Sequence, residues 1–257
     1  AGKPIEALVQ SVIDGAFDLV VILQSEQAAR LLALASRGDP AANIVFIPMW
    51  DGCQGLGPDY WQDLAGVRVI SFSRRLHERL TRFGLFSFHV QFFPDPGGFT
   101  QVDQSEASVF LWWRVPEIGW PEVRRVFGSW RPERFHLHVA PDPQVDRATL
   151  LTPTTAEIDA HRITVSTWFE DSASFRQVLL ASNVFVAPRM SEGIGMAMLE
   201  AMASGMCVIA HDAPTMNEYI VPQVNGFLVD FTQARALDLR GFRDIGQRAR
   251  DFVAAGH

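Results

Sequence analysis

The sequence predicts an α/β protein built from two doubly wound units with parallel sheets. Short apolar runs alternate with helix-period stretches along the whole chain, the signature of that class. The runs are near-continuous rather than alternating, as in strands covered by helices on both faces. A proline- and glycine-rich break then divides the chain in two.

Ahead of that break, the first fourteen residues have the pattern of an amphipathic helix. Strands are expected over 18–23, 43–47, 67–72 and 87–92, with helices over 25–36 and 73–83. Phe93-Pro94-Asp95-Pro96-Gly97-Gly98 interrupts both periodicities, since two prolines and two glycines continue neither a helix nor a central strand. A boundary is placed there, giving domains 1–98 and 99–257. In the second domain, strands are expected over 108–113, 135–139, 163–167, 183–187, 207–210 and 226–230. Helices are expected over 120–127, 172–181 and 195–204. In such a fold ligands bind outside the carboxyl ends of the strands.

Nearly half the residues (48%) are apolar, which is ample for a core, and the net charge of −7 argues against nucleic acid as a partner. Of the 22 basic residues only Lys3 is a lysine, so any phosphate clamp must rely on arginine. Cys53 and Cys207 stand alone, with no CxxC, and Cys207 falls in an apolar strand pattern. A buried free thiol at Cys207 and a reducing compartment are expected. The N-terminal stretch lacks the apolar core of a signal peptide, and no apolar run reaches the ~20 residues of a membrane span. A soluble, cytoplasmic protein is expected.

The informative stretch is 183–231. A buried strand ends near Pro188, and a short loop then delivers Glu192. Gly193 and Gly195 bring bare backbone close to whatever the cleft holds. The helix that follows stops at Gly205, and its free N-terminal N–H groups form a seat for phosphate. Glu200 lies further along this helix. One carboxylate before a phosphate seat and one after it suits a molecule with hydroxyls at both ends, such as a sugar nucleotide.

Glu192 and Glu200 within EGIGMAMLEAMASG resemble the paired-glutamate motif of retaining GT-B glycosyltransferases of the large family four, the group 1 type. CVIAHD, Glu218 and NGFLVDF continue the resemblance, which is specific over 172–231 and looser back to Ser108. It implies a GT-B-like pair of Rossmann-like domains facing a cleft, the first one short. It implies that Glu192 contacts sugar hydroxyls and Glu200 the ribose, with the amides of Gly193, Ile194, Gly195 and Met196 on the sugar and distal phosphate. The implied activity is transfer of a sugar, with retention, from a nucleotide-sugar donor to a glycan or lipid-linked acceptor, as in bacterial polysaccharide synthesis. No cofactor is expected beyond the donor substrate itself.

Arg114, after FLWW, matches the family's arginine, whereas Gly119 stands near the family's lysine position. Arg189 is a candidate substitute; the other reading is a solvent-facing loop arginine. The missing lysine also leaves open a non-catalytic sugar-nucleotide-binding or scaffold protein on the same fold. A dinucleotide site competes through Gly193-x-Gly195 and Asp212, but Met198 occupies the third glycine position. His136 and His138 share one strand face, open to metal binding or to packing, with no third ligand at a suitable spacing. There is no Asp-x-Asp motif and no GxSxG elbow, so neither a metal nor a serine nucleophile is expected. Asp51, after an apolar strand, is either an acceptor-side catalytic carboxylate or a loop cap. Arg74, Arg75, Arg79 and Arg82 lie beside Leu76, Leu80, Phe83 and Phe86, giving either peripheral contact with the inner face of the membrane or an ordinarily packed helix.

Overall fold

A computed structural model describes residues 4–15, 17–37 and 43–256, so Lys3 lies outside the described residues. Two compact units compose the chain: Ala1–Phe92 with Glu192–Ile194, and Phe93–Ser191 with Gly195–His257.

The first unit runs α1 (Ile5–Asp14), β1 (Val20–Leu23), α2 (Glu26–Ala35), β2 (Ile44–Ile47), α3 (Trp50–Cys53), α4 (Pro58–Asp63), β3 (Arg68–Ser71), α5 (Arg74–Arg82) and β4 (Ser87–His89). Its strands form one parallel sheet in the order β1-β2-β3-β4. Ile22, Phe46 and Val69 lie in register on one face and pack with Leu32, Trp61, Leu76 and Leu80. The opposite face departs from the expectation of double coverage, since Val21, Leu23 and Phe88 are each more than half exposed. The near-continuous apolar runs are real, but the described residues bury only one side of them.

The second unit runs β5 (Ser108–Trp113), α6 (Trp120–Phe127), β6 (Arg134–Val139), α7 (Thr155–His161), β7 (Ile163–Ser166), α8 (Ser172–Leu180), β8 (Val184–Val186), α9 (Met196–Ala203), β9 (Cys207–His211), α10 (Met216–Tyr219), β10 (Phe227–Val229) and α11 (Phe242–Ala255). All six strands are parallel, in the order β10-β9-β8-β5-β6-β7. Here the double coverage holds: every residue of β8 is buried, as are five of the six in β5.

Helix α9 ends as the sequence predicts. Gly205 takes φ +80°, the Gly205 N–H donates to Met202 O and the Met206 N–H to Ala201 O, a Schellman termination. Helix α11, which the sequence reading did not assign, packs on α9 and β9. Gly246 allows the approach, because a Cβ there would stand 2.3 Å from Gly205 O.

Candidate functional site

Chain order along the second sheet reverses between β5 and β8. From β5 the chain moves outward through β6 and β7, then returns to β8 and proceeds the other way through β9 and β10. At such a switch point the loops beyond the carboxyl ends diverge and leave a crevice. Arg114 follows β5 directly, Asp142 lies just beyond β6, and Arg189 lies just beyond β8. These three charged residues therefore come from three separate loops at the carboxyl end of the sheet.

These charges meet. Arg114 donates from Nε to Asp142 Oδ1 at 2.7 Å, and the same oxygen lies 2.5 Å from an Arg114 terminal nitrogen. Arg189 donates to that oxygen at 2.9 Å. The Asp142 side chain is only 6% exposed, whereas Arg114 and Arg189 keep 26% and 29% exposure. Arg189 is thus not a solvent-facing loop residue. A carboxylate shared by two guanidiniums leaves the three charges with a net positive charge, which suits an anion. Sequence reasoning missed Asp142. Its signal was weak, because APD after a strand is an ordinary loop sequence.

The loop after β8 carries Glu192, which is partly buried, then Gly193 and Ile194, and reaches Gly195 at φ +78°. Gly195 is the N-cap of α9, a conformation that an L-residue rarely adopts. Leu199 N–H is the first to bond back, to Gly195 O, so the N–H groups from Met196 to Met198 have no partner within the helix. Met196 is half exposed at this end. Glu200, one helical turn on, is partly buried, and burial raises its carboxyl pKa, opposed by the nearby Arg176 charge. No hydrogen bond or ion pair to a described residue offsets that burial.

Beside the arginine pair lies a cavity of about 290 Å³, lined by Trp112, His138, Trp168, Phe169 and Phe175 with the carboxylates of Glu170 and Asp171. The Arg114 guanidinium sits 5.0 Å above the Trp112 ring, which joins the cavity to the cationic group. Trp168 is 80% exposed, an unusual state for the largest apolar side chain. This aromatic pocket was not legible beforehand. Its residues come from β5, β6, the loop after β7 and α8, and no one segment shows the pattern.

The remaining candidates resolve one by one. His136 and His138 hydrogen-bond through Nε2 and Nδ1 to the same Ser166 hydroxyl, each at 2.8 Å. Among the described residues no group of three or more His, Cys, Asp or Glu could hold a metal ion. Asp51 stands in the first turn of α3, at the carboxyl end of β2 in the first unit. In α5, Leu76 and Leu80 are fully buried, and Arg79 donates to Gln54 O at 2.7 Å and to Leu56 O, which commits it to packing. No helix among the described residues is long and apolar enough to cross a membrane. Cys53 and Cys207 are free and buried; burial pushes the Cys53 thiol up to about 12 and raises that of Cys207 as well.

Two parallel α/β units and a crevice at the switch point of the second define a GT-B architecture. Sucrose-phosphate synthase from Thermosynechococcus elongatus shares it, with a TM-score of 0.71 at 18% identity over 98% of this chain and 72% of that one. HepE from Anabaena, solved in complex with UDP, matches with a TM-score of 0.71 at 16% identity over 98% and 77%. In sequence, residues 158–240 match the family described as glycosyl transferases group 1. The GtfA subunit of a UDP-N-acetylglucosamine–peptide N-acetylglucosaminyltransferase from Limosilactobacillus reuteri subsp. suis is 40% identical over 50 residues. That alignment spans 19% of this chain and 10% of the relative. Together these matches show the GT-B fold over the chain and a similarity to the group 1 glycosyl transferases over residues 158–240.

Proposed function

We propose that the chain transfers a sugar from a nucleotide-sugar donor, a UDP-sugar, to a glycan or lipid-linked acceptor, with retention and without a metal ion. The observation that carries the reading is the convergence of Arg114 and Arg189 on Asp142 at the switch point, where the loop to the N-terminus of α9 also begins. The arginine donors and the first N–H groups of α9 would hold the diphosphate and stabilise the charge that develops as it leaves. The adjoining aromatic cavity would take the base, Glu200 the ribose and Glu192 the sugar hydroxyls. Asp51, on the first unit, is the acceptor-side candidate. The UDP base is supported by the UDP bound in the HepE structure and by the donor named for the Limosilactobacillus relative.

Transfer and donor-hydrolysis rates, with nucleoside diphosphate affinities, test the reading in buffer containing EDTA. Arg114→Ala is expected to slow the chemical step by ~10²–10³-fold, as removal of one preorganised donor does, while donor affinity falls less. Glu192→Ala is expected to impair transfer and leave UDP affinity nearly intact. Anomeric NMR of the product reports on retention. The missing lysine, with Gly119 near its position, favours a second reading as a sugar-nucleotide-binding protein. A wild type that binds UDP-sugars yet neither transfers nor hydrolyses them across a broad acceptor panel would establish that one.

A further inference from the structure

The rings that line the cavity beside the arginine pair hold one another in place, with one exception. Phe175, from α8, meets Trp112 at 5.2 Å and His138 at 5.4 Å between ring centroids. Phe169 stacks on His138 at 5.2 Å, with the ring planes 17° apart. Trp112 also carries the Arg114 guanidinium, 5.0 Å from its ring centroid. Each of these rings has therefore committed a face or an edge to the protein. Trp168 has not. It lines the same cavity at 80% exposure, and its indole meets no ring, cation or hydrogen-bond partner among the described residues. Nor can it range far. β7 ends at Ser166, and the Asp171 carboxylate caps α8, accepting from the Ser174 N–H at 2.8 Å and from its hydroxyl at 2.7 Å. The indole thus rides on a short loop pinned at both ends.

An indole left in water forgoes the burial that favours folding, and one on a pinned loop gives up little entropy when a flat ligand covers it. Positive charge at one end of a cavity and an uncovered ring at its wall match a molecule with an anion at one end and a planar heterocycle at the other. We infer that Trp168 is the base platform of the donor site, its indole stacking on the flat face of the nucleobase that enters the cavity. This rests on the reading of the cavity as the base seat of a UDP-sugar site. Every base has a π-face, so a stacking side chain holds different bases alike, and its loss weakens them alike. Trp168 therefore contributes the hold on the base, whereas hydrogen-bonding groups would choose among bases. The base is remote from the reacting carbon and stacks equally in ground state and transition state, so loss of Trp168 raises KM and leaves kcat nearly unchanged.

Calorimetric titration of wild type, Trp168→Ala and Trp168→Phe with UDP, CDP and inorganic pyrophosphate decides the matter, together with proton NMR of the bound uracil. Trp168→Ala is expected to lower affinity for UDP and for CDP by similar factors, about tenfold or more, and to leave pyrophosphate affinity unchanged. Trp168→Phe, which keeps a ring, should retain most of the UDP affinity. The uracil H5 and H6 resonances should move upfield on binding to wild type and show NOEs to an indole that are absent in Trp168→Phe. A Trp168→Ala variant that binds UDP as tightly as wild type does, or that loses pyrophosphate along with UDP, would overturn the assignment. So would bound uracil protons without an upfield shift, a result that needs no variant. Failure of wild type to bind any nucleoside diphosphate would instead remove the donor-site reading on which the stack stands.

Discussion

Asp142 holds two guanidiniums on a single oxygen, and at residue scale this choice shapes the site. Without it, Arg114 and Arg189 would repel and splay into solvent, and each would lose side-chain entropy again on meeting a phosphate. Glu200 is the converse case, a partly buried carboxylate with no hydrogen bond or ion pair to a described residue, its charge eased only by nearby Arg176. Its raised pKa means that the folded state holds this proton more tightly than the unfolded state does. The stability cost of the charged carboxylate is therefore absent at low pH and appears as pH rises through the folded value. Glu200→Gln is expected to raise the thermal midpoint at pH 7 and leave it unchanged near pH 4. The same variant should weaken UDP binding by roughly 1 kcal/mol or more, as charge-assisted bonds to the ribose become neutral ones. A gain in stability with no loss of UDP affinity, read by calorimetry, would remove Glu200 from the site.

Among the elements, α9 has the most demanding position. One end begins on a left-handed glycine beyond the switch point, and the other closes at Gly205 against α11. The Gly246–Gly205 contact sets how near α11 can lie, and hence how firmly α9 is backed. Gly246→Ala is expected to cost about 2–3 kcal/mol, since the added carbon meets a backbone oxygen that cannot swing aside as a side chain would. Urea denaturation measures it, and a midpoint equal to wild type would mean that the two elements have room to separate. If the N-terminus of α9 holds the diphosphate as proposed, the loss should extend to UDP affinity.

For the whole molecule, acid stability follows from histidines folded in their neutral form. His138 is held at about 4 against an ordinary 6.5, and burial lowers His136 and His161 too. The unfolded chain binds more protons between those values, so stability is fully present above about pH 6.5 and is lost as pH falls towards 4. From His138 alone the loss amounts to about 3 kcal/mol at most. Thermal unfolding across pH 4–7.5 should show this slope, and His138→Phe should flatten much of it. A wild-type curve level from pH 6.5 to 4 would mean that these rings titrate normally in the folded protein.

Segments whose meaning is local were legible in the sequence alone. The parallel α/β class, the strand–loop–helix unit carrying Glu192, Gly195 and Glu200, and the stop at Gly205 all depend on neighbours within about fifteen residues, where propensity and glycine chemistry act. Thr154 and Glu157 form a capping box at α7, and Phe242, Ile245, Ala249 and Val253 trace the buried face of α11. Both signals were present but short, and neither helix was assigned. Tertiary structure alone decided the rest. Strand order placed β5 beside β8, which brought Arg114, Asp142 and Arg189 to one oxygen across 75 residues of chain. It also gathered Trp112, His138, Trp168 and Phe175 around one cavity, and set Ser166 between two histidines. The order in which parallel strands pair depends on the crossovers and on which apolar faces find each other. No single segment encodes that order, so the strand–loop–helix that carries Glu192 and Glu200 was readable in advance, while the arginine pair's anchor and the aromatic pocket were not.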